Sequence, residues 1–331
     1  MLRTVEMAAE DLRGRGVDVE IKAVDDREDE RLAVDAAREL AADQSVIAVV
    51  GHKNSGPSKT GGPVYAEAGL AQVTQCSTDN SLSRSGWKTF FRMCATNERQ
   101  AQVAAAFAHA RMPGASTVAV HDGTAYGQPL VEAFASKLES LAGKPVRVIA
   151  MRVGQEDFSE VVEQVKAAGA QVVDLGATEI ESSKLMRALH AAGLRPLVIS
   201  SEGGPDNPIV RLAGPAGEES VHTYAGFDPL STTESQELVE RCRAAFGETP
   251  SYVVECYDAV TVIAAALERG ASNRAEVRDA IAATDVKGYS GRIRFEESGD
   301  RVDAPVSLWT IHGGEMVPLV PSPGIVGTSP K

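Results

Sequence analysis

The residues best suited to hold a small charged molecule lie between Val46 and Thr78. Two polar loops there, His52 to Ser58 and Cys76-Ser77-Thr78, concentrate hydroxyls, a thiol and glycine. Hydroxyls and free backbone N–H groups donate hydrogen bonds. A loop that runs into a helix adds the partial positive charge of the helix N-terminus. That chemistry suits an anion such as a carboxylate, with Ser55 and Thr78 as the foremost donors. Turn chemistry is the competing use of the same hydroxyls, since serine and threonine also cap helices and loops.

The elements around these loops explain how they would meet. Val46 to Val50 is a five-residue apolar run that fits a buried parallel strand, and it stops at Gly51. A helical stretch ending near Gly69 and a second short strand, Ala71 to Thr74, follow. Two neighbouring strand ends of one parallel sheet deliver their loops to the same edge, where open α/β sheets bind ligands.

Other chemistries are poorly supported. Gly51-His52-Lys53-Asn54-Ser55-Gly56 invites comparison with a phosphate-binding loop, but Pro57 and Ser58 follow in place of the required lysine and hydroxyl residue. The six histidines form no HxxxH or HExxH pattern, so neither a metal nor another cofactor is expected. His121-Asp122 beside Tyr126 has the elements of a general base, yet no GxSxG or similar motif places a nucleophile. The chain therefore reads as a binding protein and not as an enzyme.

Composition narrows the class further. With 331 residues the chain exceeds one ordinary core, so two lobes are expected. The 33 basic and 46 acidic side chains give a net charge of −13, which disfavours nucleic acid and anionic membrane surfaces as partners. No apolar run approaches the roughly 20 residues that span a bilayer. Cys76, Cys94, Cys242 and Cys256 show no CxxC spacing. Pairing of Cys76 with Cys94, pairing of Cys242 with Cys256, and four thiols all remain open.

Strand and helix patterns alternate almost throughout, which predicts parallel sheets with helices on both faces. Met1 to Arg15 reads as an amphipathic helix with Leu2, Val5, Ala9 and Leu12 inward, and acidic residues exclude a signal peptide there. Val17 to Val24 alternates like a strand. Glu30 to Ala42 reads as a helix with Leu32, Ala36 and Leu40 inward. Strands are expected at Thr117–His121, Val146–Met151, Val172–Gly176 and Leu197–Ser200. Helices are expected over Gly127–Leu141, from Asp157, and over Ser182–Ala192. After Tyr224 come helices near Ser235–Phe246, Tyr252–Glu268 and Arg274–Ala283. Hairpin-like strands at Gly291–Phe295 and Val306–His312 follow, with a loose tail over the last dozen residues.

The segments VVGHKNSG, TQCSTDNSLS with FFRMCATN, VAVHDGTAYGQ, DFSEVVEQVKAAGAQVV, LVISSEGG and GYSGRIRFEESGD occur in an order that resembles the periplasmic Leu/Ile/Val-binding proteins. These are the type I solute receptors of branched-chain amino-acid ABC transporters. The resemblance covers nearly the whole chain. It implies two doubly wound α/β lobes joined by three crossovers, near Asn97, Tyr224 and Ala304. Lobe 1 would comprise 1–97 and 225–304, and lobe 2 would comprise 98–224 and 305–331. It also implies a monomeric protein outside the cytoplasm, periplasmic or anchored at the cell surface, that passes an amino acid to an ABC permease. A ligand-sensing receptor or regulator of the same fold, binding an amide or small carboxylate, is the alternative; no attached effector is recognisable.

Carried over position by position, the resemblance assigns the ligand carboxylate to Ser55 and Thr78, and an ammonium-accepting carbonyl to Cys76, with Ser77 in the same loop. In the second lobe it assigns Tyr126 as a contact and Glu202 as the ammonium's counter-charge. Hydroxyl and N–H donors with one carboxylate are what a zwitterion requires. Lys53 and Asn54 stand where relatives often carry apolar residues, which points to a polar or acidic ligand side chain. Thr178 and Glu179 are further pocket candidates, in a segment rich in tyrosine among the best-known members. Asn54 also replaces a cysteine of the family's first-lobe disulfide. The resemblance places a signal sequence, a first strand and a ligand-contacting loop ahead of Met1. The expectation is that Val17–Val24 and Val46–Val50 flank the place of that strand.

Overall fold

The computed structural model describes residues 1–201 and 203–319, which form two compact units. One comprises Met1–Thr96 and Gly226–Pro305, and the other comprises Asn97–Ala225 and the chain from Val306 onward. In chain order the first unit supplies α1 (Leu2–Gly14), α2 (Glu30–Ala42), β1 (Ala48–Val50), α3 (Ser55–Glu67), β2 (Ala71–Thr74), α4 (Asn80–Ser83) and β3 (Phe90–Arg92). The second contributes α5 (Asn97–Arg111), β4 (Thr117–His121), α6 (Gly127–Ala142), β5 (Arg147–Ala150), α7 (Ser159–Ala167), β6 (Val172–Gly176), α8 (Glu179–Ala191), β7 (Leu197–Ser200), α9 (Ile209–Ala213) and β8 (Val221–Tyr224). The chain then returns to the first unit for α10 (Thr233–Phe246), α11 (Val253–Glu268), α12 (Arg274–Ala282), β9 (Asp285–Gly288) and β10 (Gly291–Arg294). It ends in the second with β11 (Ser307–His312) and β12 (Glu315–Pro318).

The second unit holds a seven-stranded sheet in the order β12-β11-β8-β7-β6-β4-β5. Its five strands from β8 to β5 are parallel, and β11 and β12 add antiparallel. Parallel strands buried on both faces need apolar side chains in both directions. Val118, Val120, Val173 and Leu175 face one core, shared with α7, α8 and α9. Ala119, Val172, Ile199 and Val221 face another, built with α5 and α6.

In the first unit the sheet has only three parallel strands, β1-β2-β3, with β9 and β10 forming a separate antiparallel hairpin. The apolar helix α11 organises what surrounds them. Its Ala259, Val262 and Ala266 pack toward the sheet, Cys256, Val260 and Ala264 toward α1, and Val253 and Val254 toward α10. Short polar side chains start the helices locally: Asp29 caps α2, Thr232 caps α10 and Asn273 caps α12 through backbone N–H bonds.

Several expectations are corrected. Val17–Val24 forms no strand; it runs without ladder partners among the described residues, neither pairing with β1 nor with another strand. Its alternation is nevertheless real, because Val17, Val19 and Ile21 pack beside α1 and α11. The side-chain period is satisfied by helices while the backbone has no neighbouring strand. Leu2 and Leu32 point outward, 47% and 38% exposed. On α2 the inward face is Ala33, Ala36, Ala37 and Leu40, and its small residues let α3 approach closely: a Cβ at Gly61 would lie 3.5 Å from both the Ala33 carbonyl and the Ala37 Cβ. The expected hairpin-like pair is divided between units, β10 pairing with β9 and β11 with β8 and β12. The α8 helix starts at Glu179, three residues before Ser182, and α7 starts at Ser159, where Asp157 accepts its backbone N–H at 2.9 Å. The last dozen residues lie outside the described residues.

Candidate functional site

In the first unit, β1 and β2 are parallel, so the loops after Val50 and Thr74 leave the sheet side by side. Hydroxyls staple them together. Thr74 Oγ1 donates to the His52 carbonyl (2.8 Å) and accepts the Ser77 N–H (3.0 Å), and Ser77 Oγ lies 2.7 Å from Ser58 Oγ and 3.0 Å from the His52 carbonyl. The Cys76 thiol donates to the Lys53 carbonyl at 3.0 Å. Ser77 thus spends its side chain on shaping the loop.

Ser55 opens α3 and is buried; its Oγ accepts the Asp79 N–H at 3.2 Å, which leaves its own O–H to donate. Asn54, the residue before the helix, makes no side-chain cap, so its amide does not quench the N-terminal donors of α3. Thr78 is 1% exposed, and its Oγ1 has no hydrogen-bond partner. A buried hydroxyl without a partner is costly, and it marks where an acceptor is wanted.

Behind the first loop, His52 is held on both ring nitrogens: Nδ1 is 2.6 Å from Asp26 and Nε2 is 3.1 Å from the Tyr65 hydroxyl. The bond from His52 holds the Asp26 carboxyl below its usual range. Lys53 reaches Glu28 at 2.9 Å, with both side chains about half exposed (45% and 56%). Lys53 is thereby paired with the acidic turn 25–30.

Arg92, on β3, is a residue that the sequence reading missed. Its fully buried guanidinium donates to the carbonyls of Ser77 (3.1 Å) and Asp79 (2.9 Å), to Ser83 Oγ (2.9 Å), and to Asp300 through Nε (2.9 Å) and Nη2 (2.5 Å). The only signal was a lone charge inside the apolar run Phe90-Phe91-Arg92-Met93, a position where arginine must be paired.

In the second unit the candidates gather at the carboxyl ends of the parallel strands. Tyr126 precedes α6, and its hydroxyl donates to the Ser201 carbonyl at 3.1 Å. Gln100 Nε2 donates to the same carbonyl at 3.0 Å and to Thr223 Oγ1 at 2.8 Å. Asp122 accepts both the N–H and the hydroxyl of Thr124, while its Oδ2 is buried without a partner. Thr178 precedes α8 without a side-chain cap, its hydroxyl donating to the Glu181 carboxylate at 2.5 Å, and Glu179 is the helix's first residue, its carbonyl accepting the Ser183 hydroxyl. Glu202 lies outside the described residues. None of the four cysteines is in a disulfide. Among the described residues no cluster of three or more His, Cys, Asp or Glu is placed for a metal, and no helix is long and apolar enough to cross a membrane.

Comparison with known proteins accords with this geometry. The family model described as periplasmic binding protein matches residues 1–315. A Leu/Ile/Val-binding protein homolog 1 of Brucella melitensis is 32% identical over 289 residues, 86% of this chain and 77% of its own length. An amino acid binding protein of Pseudomonas aeruginosa is 29% identical over 90% of this chain and 81% of its own. Among solved structures, a leucine binding protein of Thermotoga maritima superposes with a TM-score of 0.87 over 96% of this chain and 93% of the other, at 24% identity, a likeness of fold. Two α/β units, paired polar loops at strand ends and a family match across almost the whole chain lead to one assignment: the protein belongs to the periplasmic binding protein family.

Proposed function

We propose that this chain is an extracytoplasmic solute receptor without enzymatic activity. It captures an α-amino acid and delivers it, as a monomer, to the permease of an ABC transporter. One observation carries the reading: Thr78 Oγ1 is buried without a partner in the loop stapled to the first turn of α3 through Ser58 and Ser55. A ligand carboxylate supplies the missing acceptor, with Ser55 and the first amides of α3 as further donors. The Cys76 carbonyl and Glu202 take the ammonium. Lys53 is satisfied by Glu28, so it needs no ligand charge, and an aliphatic side chain of the kind named for the relatives fits better than a polar one.

Calorimetric titration with leucine, isoleucine, valine, serine and glutamate tests this. Saturable binding of at least one aliphatic amino acid is expected. Thr78→Ala is expected to weaken it by about 1–2 kcal/mol, and Glu202→Ala by about 3–5 kcal/mol because a desolvated ammonium loses its counter-charge. Absence of binding and of any thermal shift across the panel overturns the reading.

A further inference from the structure

We infer that Arg92 is the positioning residue of the ligand loop, and that it ties this loop to the segment 296–301, which leads out of the first unit. The inference deepens the reading above, in which loop 76–78 holds the ligand. Three observations carry it. The guanidinium binds the Ser77 carbonyl, which lies in the peptide plane entering Thr78, and the Asp79 carbonyl one peptide beyond it. Ser55 Oγ accepts the Asp79 N–H of the plane that leaves Thr78, so the loop is fixed on both sides of Thr78. Its remaining donors end on Ser83 and Asp300, so a single planar group joins β3, α4, the ligand loop and segment 296–301. The backbone repeats the connection: Arg92 N–H donates to the Gly299 carbonyl at 2.9 Å, and Arg92 bridges Asp300 in parallel register.

Gly299 shows how closely that segment is seated. It has φ +83°, and a Cβ there would lie 1.9 Å from the Phe90 carbonyl. Only four residues separate Asp300 from Pro305, where the chain passes to the other unit. Thr78 cannot change its orientation without disturbing Arg92, and Arg92 cannot move without disturbing the exit segment. A lysine at position 92 keeps the charge opposite Asp300 but has one nitrogen, which cannot span four partners.

Hydrogen exchange of residues 76–80, measured together with leucine calorimetry, tests the assignment on Arg92→Lys, Asp300→Asn and the control Lys88→Gln. Lys88 makes only an exposed pair with Glu297, at 3.1 Å beside the same segment. In Arg92→Lys the amides of 76–80 are expected to exchange at least tenfold faster and leucine affinity to fall at least tenfold, with the strands of the second unit unchanged. Asp300→Asn is expected to give about a third of that acceleration, and it replaces Arg92→Lys if the latter does not fold. Lys88→Gln is expected to match the parent. A folded Arg92→Lys or Asp300→Asn with parental exchange at 76–80 overturns the inference. Exchange is read without ligand, so a parent protein that binds no amino acid refutes the functional reading alone.

Discussion

The two units fix their candidate loops by the same device and with different materials. In each, side-chain donors bind a loop carbonyl next to a candidate residue. The second unit uses neutral groups, Tyr126 and Gln100 on the Ser201 carbonyl. The first uses a charged one, Arg92, and balances it with Asp300. Their surroundings differ in the same sense. Seven strands with apolar cores on both faces hold the second unit's edge in place. The first has three strands, and it buries Glu255, Asp258 and Arg301 completely or nearly so. Asp258 accepts the N–H groups of Tyr289 and Ser290, and Arg301 donates to the Ser290 carbonyl and hydroxyl. Where a sheet is too small to impose geometry, multidentate ionic groups do so instead, at the cost of desolvation.

Close-approach glycines give the strongest test of this contrast. A Cβ at Gly127 would lie 2.1 Å from the Gly176 carbonyl, and one at Gly299 would lie 1.9 Å from that of Phe90. Alanine at either position is expected to destabilise by about 2–4 kcal/mol. Gly299→Ala is expected to be the worse of the two, because it also carries positive φ and displaces Arg92's partner. Denaturant midpoints decide the order, and equal or reversed losses break the comparison.

A smaller effect should appear in pH. Burial pushes the Glu255 carboxyl up to about 7, so the folded protein holds a proton that the unfolded chain releases near pH 4.5. Stability from this group therefore falls as pH rises between those values, by up to about 3 kcal/mol. Glu255→Gln is expected to remove that slope in thermal melts from pH 5 to pH 8; an unchanged slope would show that the carboxyl is already ionised. In the second unit burial alone raises Asp174. Asp174→Asn is expected to stabilise at neutral pH, with the gain vanishing in acid.

The smallest change is expected from Tyr126→Phe. Gln100 still holds the Ser201 carbonyl, so the loss should be about 1 kcal/mol in stability. A several-fold greater loss of amino-acid affinity would instead give the hydroxyl a direct role with the ligand.

Much of this molecule was legible in its sequence because its patterns are local. The βα alternation, the polar loops after Val50 and Thr74, and the helices from Thr233 to Ala282 follow from short-range periodicity and caps. What escaped depends on partners distant in the chain. Val17–Val24 shows which side faces inward but not whether a strand lies alongside. Leu32 looked like a core residue because apolar size is visible in sequence, whereas the close approach of α2 and α3 through alanine and glycine is not. Lys53 reads as a pocket candidate, and the Glu28 carboxylate beside it lies 25 residues away in the chain, beyond the reach of local pattern. Arg92 stood out as a charge in an apolar run, yet nothing in the sequence named the carbonyls it reaches.

The cysteines have a practical consequence. Cys94 and Cys256 are buried, with thiols pushed up to about 12, and burial raises Cys242 as well. Thiolates do the attacking, so these three are inert in the folded protein. Cys76 is the half-buried exception, in the loop after β2, two residues before Thr78. A maleimide dye thus has one address, in the loop proposed to take the ligand.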